Sequence, residues 1–329
     1  MNVCGIDVSK DTLEVVVRKN NRSQRSKTFE NSPEGHLKLI NFLTQKKVEL
    51  ICVEATGSYH LDIAILLSET ATLKVMVINP KAAHNFAKAM MQRTKTDATD
   101  AEMLAQYADR MDFVEWEVPA NEVLSLRTFG RWLDALSKEL TRLKNQLHAF
   151  EITKTTPDLI IESVKNRIAI LTQEIVDLEE EALDIIKNNR KLKEKYELLI
   201  SVKGIADKTA IKVLGEVLVL SANMTAKQWV AHAGLFPQII QSGSSVNKKT
   251  RIGKAGNRYI RGALYMPALV AVNHDPHIAG FYQHLVNDNG LRKIQAICAV
   301  MRKLLLSIHA MFRTNTPFNG EFFYTLKEA

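Results

Sequence analysis

The sequence predicts an α/β domain followed by two helical regions. Three observations predict it. Strand-like and helix-like runs alternate over residues 1–115. Two long seven-residue apolar repeats fill residues 116–195. Residues 196–329 carry helical spacing broken by one polar, glycine-containing loop. Hairpin strands followed by strand–helix alternation give a sheet with helices packed on it.

The elements follow in order. "VCGIDVS" and "TLEVVVRK" are rich in β-formers and separated by a short polar link, which predicts a hairpin. "SPEGHLKLINFLTQKK" opens on Ser-Pro-Glu, a helix-start signal, and continues with helical apolar spacing. "ELICVEA" is a short apolar run ending in an acid and predicts a central strand. "LDIAILLSE" predicts a helix and "LKVMVIN" a strand, with Pro80 as the break before the next helix.

From Leu126 to Phe150, apolar residues recur in steps of three and four, through Phe129, Leu133, Leu136, Leu140, Leu143 and Leu147. Pro157 interrupts the pattern, which resumes from Ile161 to Ile185. Such repeats predict a coiled-coil helical hairpin. About thirty residues of helix span about 45 Å. The seam can close within one chain or against a second; the stripe itself is packing and carries no chemistry. Further on, "LLISVKGIADKTAIKVLGEV" resembles a helix-hairpin-helix, in which a glycine turn presents amides to a phosphate. Ala206 stands at the usual second glycine, so a plain helix-turn-helix packing unit is the competing reading.

The net charge of +8, with pI near 9.2, favours a polyanionic partner such as nucleic acid. Cys4, Cys52 and Cys298 lie far apart without ligand-like spacing, as expected of buried thiols in a reducing compartment. "MNVCGIDVSK" lacks the apolar core of a signal peptide. No unbroken apolar run reaches the ~18 residues of a membrane span. A cytoplasmic protein with no membrane partner is expected.

Four acids stand in suggestive places. Asp7 ends the first strand, Glu54 ends the "ICVEA" strand, and Asp97 and Asp100 open a helix in "RTKTDATDAEML". A spacing of three puts two carboxylates on one helical face, roughly 5–6 Å apart. Taken singly, each has a structural reading. Asp7 could cap a turn, Glu54 could be a solvated edge residue, and Asp97 could be an N-cap with Asp100 favoured by the helix dipole. Taken together on this topology, they read as a metal site. Clustered carboxylates raise one another's pKa, and divalent cations relieve that repulsion. Oxygen-only ligands favour Mg²⁺, or Mn²⁺, over zinc.

Between Ser244 and Gly262 there are six basic residues and no acid: Lys248, Lys249, Arg251, Lys254, Arg258 and Arg261. A glycine-bearing loop feeding a basic helix suits contact with a phosphate backbone. Ser242, Ser244 and Ser245 lie at its entrance. Such a serine either attacks a phosphodiester, once activated, or only hydrogen-bonds the nucleic acid. His232, ten residues upstream, reads as structural.

"GIDVSK", "VEATGSY", "VINP", "FAKAM", "KTDATDAEMLA", "SVKGI", "AGLFP", "SGSSV", "KAGNRYIRGALYMPALVA" and "MRKLL" occur in this order along essentially the whole chain. Together they resemble the DEDD transposases of bacterial insertion sequences, the insertion-sequence one-ten family of bridge-RNA-guided recombinases. The resemblance implies a RuvC-like, RNase H-type domain over 1–115, a coiled coil over 116–195, and a C-terminal transposase domain over 196–329. It implies that Asp7, Glu54, Asp97 and Asp100 form the acidic tetrad that holds Mg²⁺. It implies that Ser242 is a nucleophile forming a phosphoserine link to DNA. The partners implied are donor and target DNA, a structured noncoding RNA, and further copies of the chain in a tetramer, at the bacterial nucleoid. An RNA guide would supply the sequence choice for which no base-reading module is evident.

Three rivals share parts of this reading. A site-specific invertase of the same family would carry the same residues and differ in its genomic context. A RuvC-like nuclease or junction resolvase would cut without Ser242. A non-catalytic nucleic-acid-binding protein would not depend on Asp7 or Glu54.

Overall fold

The computed structural model describes residues 2–242, 246–253 and 255–326. The chain divides into two compact units, Met1–Val118 and Pro119–Ala329.

The first unit begins with a hairpin of β1 (Asn2–Val8) and β2 (Thr12–Lys19). Two short strands that the sequence pattern did not disclose, β3 (Arg22–Ser23) and β4 (Lys27–Glu30), pair with opposite ends of β2. Then follow α1 (Pro33–Gln45), β5 (Val48–Glu54), α2 (Leu61–Ser68), β6 (Lys74–Ile78), α3 (Pro80–Ala89) and α4 (Asp97–Arg110). The sheet order is β3-β2-β1-β5-β6, with β4 also on β2. β1, β5 and β6 are parallel and β2 runs against them. Ser32 caps α1, as its Ser-Pro-Glu start predicts.

Alternation along the strands divides the apolar residues between two faces. Cys4, Ile6 and Val8 join Leu39 and Leu43 of α1 and Ile63 and Leu67 of α2 in one core. Val3, Cys52, Met76 and Ile78 join Leu104 and Ala108 of α4 in the other. Cys4 and Cys52 are buried, and burial pushes the Cys52 thiol up to about 12. Cys298 is only half-buried, and no disulfide joins the three.

The second unit opens with α5 (Asn121–Ile152) and α6 (Asp158–Asn188), a long antiparallel hairpin. Asn189 reaches Glu122 at its base, and Lys165 pairs with Glu151 towards its tip. Both runs of apolar spacing sit on these helices, but only the lower part is deeply buried: Leu126, Leu133, Leu136 and Leu143 against Leu171, Ile175 and Ala182. There α8 covers the pair; towards the tip the hairpin is two helices thick. The three regions expected from the sequence thus appear as two units, because the base of the hairpin shares one core with the helices after it.

Those helices are α7 (Arg190–Ile200), α8 (Asp207–Val217) and α9 (Ala226–Ala233). After them come β7 (Pro237–Ser242), β8 (Val246–Ile252) and α10 (Arg258–His274). The chain continues through α11 (Pro276–Gln283), a π-helical turn (His284–Asp288), α12 (Lys293–Thr314) and α13 (Gly320–Phe323). The turn at Gly204 between α7 and α8 faces inward. A Cβ there would stand 2.8 Å from the Pro267 carbonyl oxygen of α10, and φ is +93°. The Gly204 side of this turn is therefore packed against α10. The polar segment expected as a loop is an antiparallel ribbon of β7 and β8. By length and composition α12 could cross a membrane, yet Val300, Leu304, Leu305 and Ile308 are buried in the core.

Candidate active site

Asp7 and Glu54 are brought together by register. Gly5 and Cys52 are partners on parallel β1 and β5. Two residues further along each strand, the same face carries Asp7 and Glu54. That face is the one α4 covers. The approach of α4 is unusually close, and Gly5 permits it. A Cβ at Gly5 would overlap the Ala101 carbonyl oxygen and the Ala105 amide nitrogen. Backbone thus lies on backbone, and the first turn of α4 arrives over the end of β1. At the other end of α4, Arg18 of β2 pairs with Asp109 at 3.4 Å. Gly5→Val is expected to push α4 outwards. The expected cost is about 1–3 kcal/mol or more, read by urea unfolding. A variant of wild-type stability would show that the close approach is not required.

The first turn of α4 is not capped by Asp97. Thr96 is the N-cap: its hydroxyl accepts from Thr99 N at 3.2 Å, and the Thr99 hydroxyl accepts from Thr96 N at 2.9 Å. Asp97 is thereby relieved of capping, and both aspartates stand in the first turn. Asp7 feels the whole group. Burial first, then Asp100, Asp97 and Glu54, push its carboxyl from 3.8 up to about 6. Burial raises Glu54, helped by Asp100 and opposed by the Thr56 hydroxyl and Lys95. Burial and Asp97 raise Asp100, with Lys95 again opposing. The four acids therefore form one electrostatic cluster.

Among the described residues, no three His, Cys, Asp or Glu side chains are gathered tightly enough to ligate one ion as they stand. Like charges do not close on one another unaided. The donor set is nonetheless all oxygen, with Asp7, Glu54 and Asp100 partly buried, which suits Mg²⁺ or Mn²⁺. Beside it, a cavity of about 470 Å³ opens between α3 and α4, lined by Glu54, Asp100, Lys88, Arg93, Lys95 and Tyr107. No residue of α3 is fully buried.

Ser242 lies in the second unit, exposed at the end of β7 and opposite Val246. Gly243, Ser244, Ser245 and Lys254 lie outside the described residues. Lys248, Lys249 and Arg251 belong to β8, and Arg251 is exposed. Arg258 is exposed at the start of α10, over the Tyr259 ring at 5.0 Å. Arg261 is engaged locally: its guanidinium donates to the Ala233 carbonyl at 2.8 Å and the Gly256 carbonyl at 3.4 Å. Burial lowers the His232 ring, and its carbonyl accepts from Asn257 N at 2.7 Å, in keeping with a structural role.

Residues 4–150 match a DEDD transposase family of IS110 type, and residues 196–283 match the family described as "Transposase IS116/IS110/IS902 family". The chain is 30% identical to the pilin gene-inverting protein of Moraxella bovis over 321 residues, covering 96% of this chain and 97% of that one. The chain belongs to this transposase family. The pilin gene-inverting protein of Moraxella lacunata is equally similar, at 30% over 321 residues, with the same coverage of both chains. A RuvC from T. thermophilus, solved with a Holliday junction substrate, aligns with 35% of this chain and 98% of its own, at 16% identity and TM-score 0.29. Family membership makes this protein an enzyme of DNA transposition and recombination.

The sequence reading named the four acids but missed the residues that arrange them. Gly5 carried a signal, a glycine inside a strand. Lys95 was passed over although it stands two residues before Asp97. Glu216 in "VLGEVLVL" was also missed; a lone acid in an apolar helix was its signal.

Proposed function

We propose that this protein cleaves and exchanges DNA strands, using Ser242 as nucleophile and the acid cluster as a Mg²⁺ site. The observation that carries the reading is that Asp7 and Glu54, at the ends of β1 and β5, share one electrostatic field with Asp97 and Asp100 in the first turn of α4. Bound Mg²⁺ would supply charge stabilisation at a phosphodiester. Asp7, Glu54, Asp97 and Asp100 would hold it. Ser242 Oγ would bond to phosphorus as the bond to a deoxyribose oxygen breaks, and that oxygen takes up a proton. Ser242 rests on the family resemblance and on its exposure at the end of the ribbon. Lys248, Lys249, Arg251, Lys254 and Arg258 would contact the phosphate backbone. Arg261 would do so only by giving up its carbonyl partners. A structured noncoding RNA would choose donor and target DNA, and a tetramer would be the working particle; both follow from the resemblance.

A second reading, inversion of a DNA segment, is favoured by the whole-length similarity to the two pilin gene-inverting proteins. The chemistry is the same and the arrangement of sites differs. The test is a recombination assay with donor and target DNA, Mg²⁺ and the flanking RNA, scoring covalent protein–DNA adducts. Wild type is expected to form adducts that Ser242→Ala and Asp7→Ala both lose. Cutting that survives Ser242→Ala but not Asp7→Ala would leave a RuvC-like nuclease instead. A circular substrate with two inverted sites separates inversion from insertion.

A further inference from the structure

All six residues of β7, the strand that ends at Ser242, are exposed. Its direction must therefore be set at its base. There the two legs are fastened to α9 and to each other. Gly253 N donates to the Phe236 carbonyl at 2.9 Å, and Asn257 N donates to the His232 carbonyl at 2.7 Å. Gly256, at φ +136°, sits where any Cβ would overlap the His232 carbonyl oxygen.

Asn257 then ties the departing leg to the interior. Its Oδ1 caps α10, accepting from Tyr259 N at 2.8 Å and Ile260 N at 3.2 Å. Its Nδ2 donates to Glu216 Oε2 at 2.5 Å. Both partners require this orientation of the amide, since N–H groups cannot accept and a carboxylate cannot donate. Glu216 is 2% exposed on α8. Arg131 of α5 grips both its oxygens, at 2.5 and 3.1 Å, and Arg127 stands 3.7 Å away. Arg131 also lies over the Tyr259 ring at 4.6 Å, closing the circuit back to α10. The chain of contacts runs from the long hairpin, through a buried carboxylate, to the root of the ribbon.

We propose that Glu216 and Asn257 are positioning residues that set the direction of the ribbon bearing Ser242. The part of this that concerns reaction rests on the reading of Ser242 as nucleophile. Glu216 Oε2 accepts from both Arg131 and Asn257. The contact with Asn257 is the one that couples this buried pair to the arm, and orientation is what a nucleophile on an exposed strand lacks.

The test uses Asn257→Ser in the full-length protein. Serine keeps the cap on α10 but is too short to reach Glu216. Spin labels at Ile240→Cys and Lys144→Cys, in a Cys298→Ser background, report the angle between ribbon and long hairpin. Asn257→Ser is expected to fold, to bind DNA as tightly as wild type, and to broaden the label–label distance distribution. Adduct formation is expected to slow on the order of 10–100-fold. An unchanged distance distribution would overturn the tie. A broadened distribution with an unchanged adduct rate would overturn its role in positioning for reaction. If Ser242→Ala still forms adducts, the nucleophile reading fails by itself, and the distance measurement still decides whether the network holds the ribbon.

Discussion

Asp7→Asn is expected to remove DNA cleavage while making the metal-free protein more stable. On the proposed function, the loss of activity follows from removing one of the four acids that would hold the metal; several kcal/mol of transition-state stabilisation corresponds to about 10³-fold or more in rate. The gain in stability follows from the raised carboxyl. In the folded protein Asp7 titrates at about 6, against 3.8 ordinarily. The folded state therefore binds the proton more tightly than the unfolded state does. Stability must fall as pH rises from about 4 to above 6, because the ionised carboxyl is disfavoured among Glu54, Asp97 and Asp100. At pH 7 the penalty is about 1–3 kcal/mol, which Asp7→Asn relieves. Thermal melts in EDTA check the sign. The variant should match wild type near pH 4 and melt a few degrees higher at pH 7. Saturating Mg²⁺ should close the gap by stabilising only wild type. A difference that does not change with pH would mean that the acids do not share one field.

Glu216→Ala is expected to be among the most destabilising single changes in the second unit. It leaves Arg127 and Arg131 without their carboxylate and Asn257 without its acceptor. Burial and Arg131 already hold Arg127 below the usual guanidinium range. Breaking a buried pair by removing one partner costs about 3–5 kcal/mol. An exposed pair provides the contrast: Arg190 and Glu194 meet at 3.0 Å with side chains 91% and 42% exposed. Glu194→Ala should cost under about 1 kcal/mol. Denaturant unfolding of the two variants measures both. Equal, small effects would mean that water screens Glu216 after all.

Gly5, Glu216 and Asn257 bear on what kind of information a sequence holds. Periodicity and end signals located β1, β5, β6 and the long helices, because burial imposes a period of two or about three and a half on any chain. The same signals put Asp7 and Glu54 at strand ends and Asp97 and Asp100 at a helix start, so the acid set was visible before any geometry. The short strands β3 and β4 were not visible, since two to four residues carry too little pattern. The ribbon of β7 and β8 was not visible either, since β7 is exposed along its length and carries no buried face to set a period.

What the sequence by itself determined is the inventory: the main strands and helices, which carboxylates end them, and which family the motifs resemble. Only the tertiary structure decided how that inventory is joined. Parallel register aligns Asp7 with Glu54, and Gly5 lets α4 close over them. Thr96 takes the cap and leaves Asp97 to the cluster. Glu216, one acid in an apolar helix, becomes the knot between α5, α8 and the ribbon. The reason is physical. Patterning acts between residues a few positions apart, whereas the contacts of Glu216 join residues 41 to 85 positions apart, where packing alone decides which groups meet.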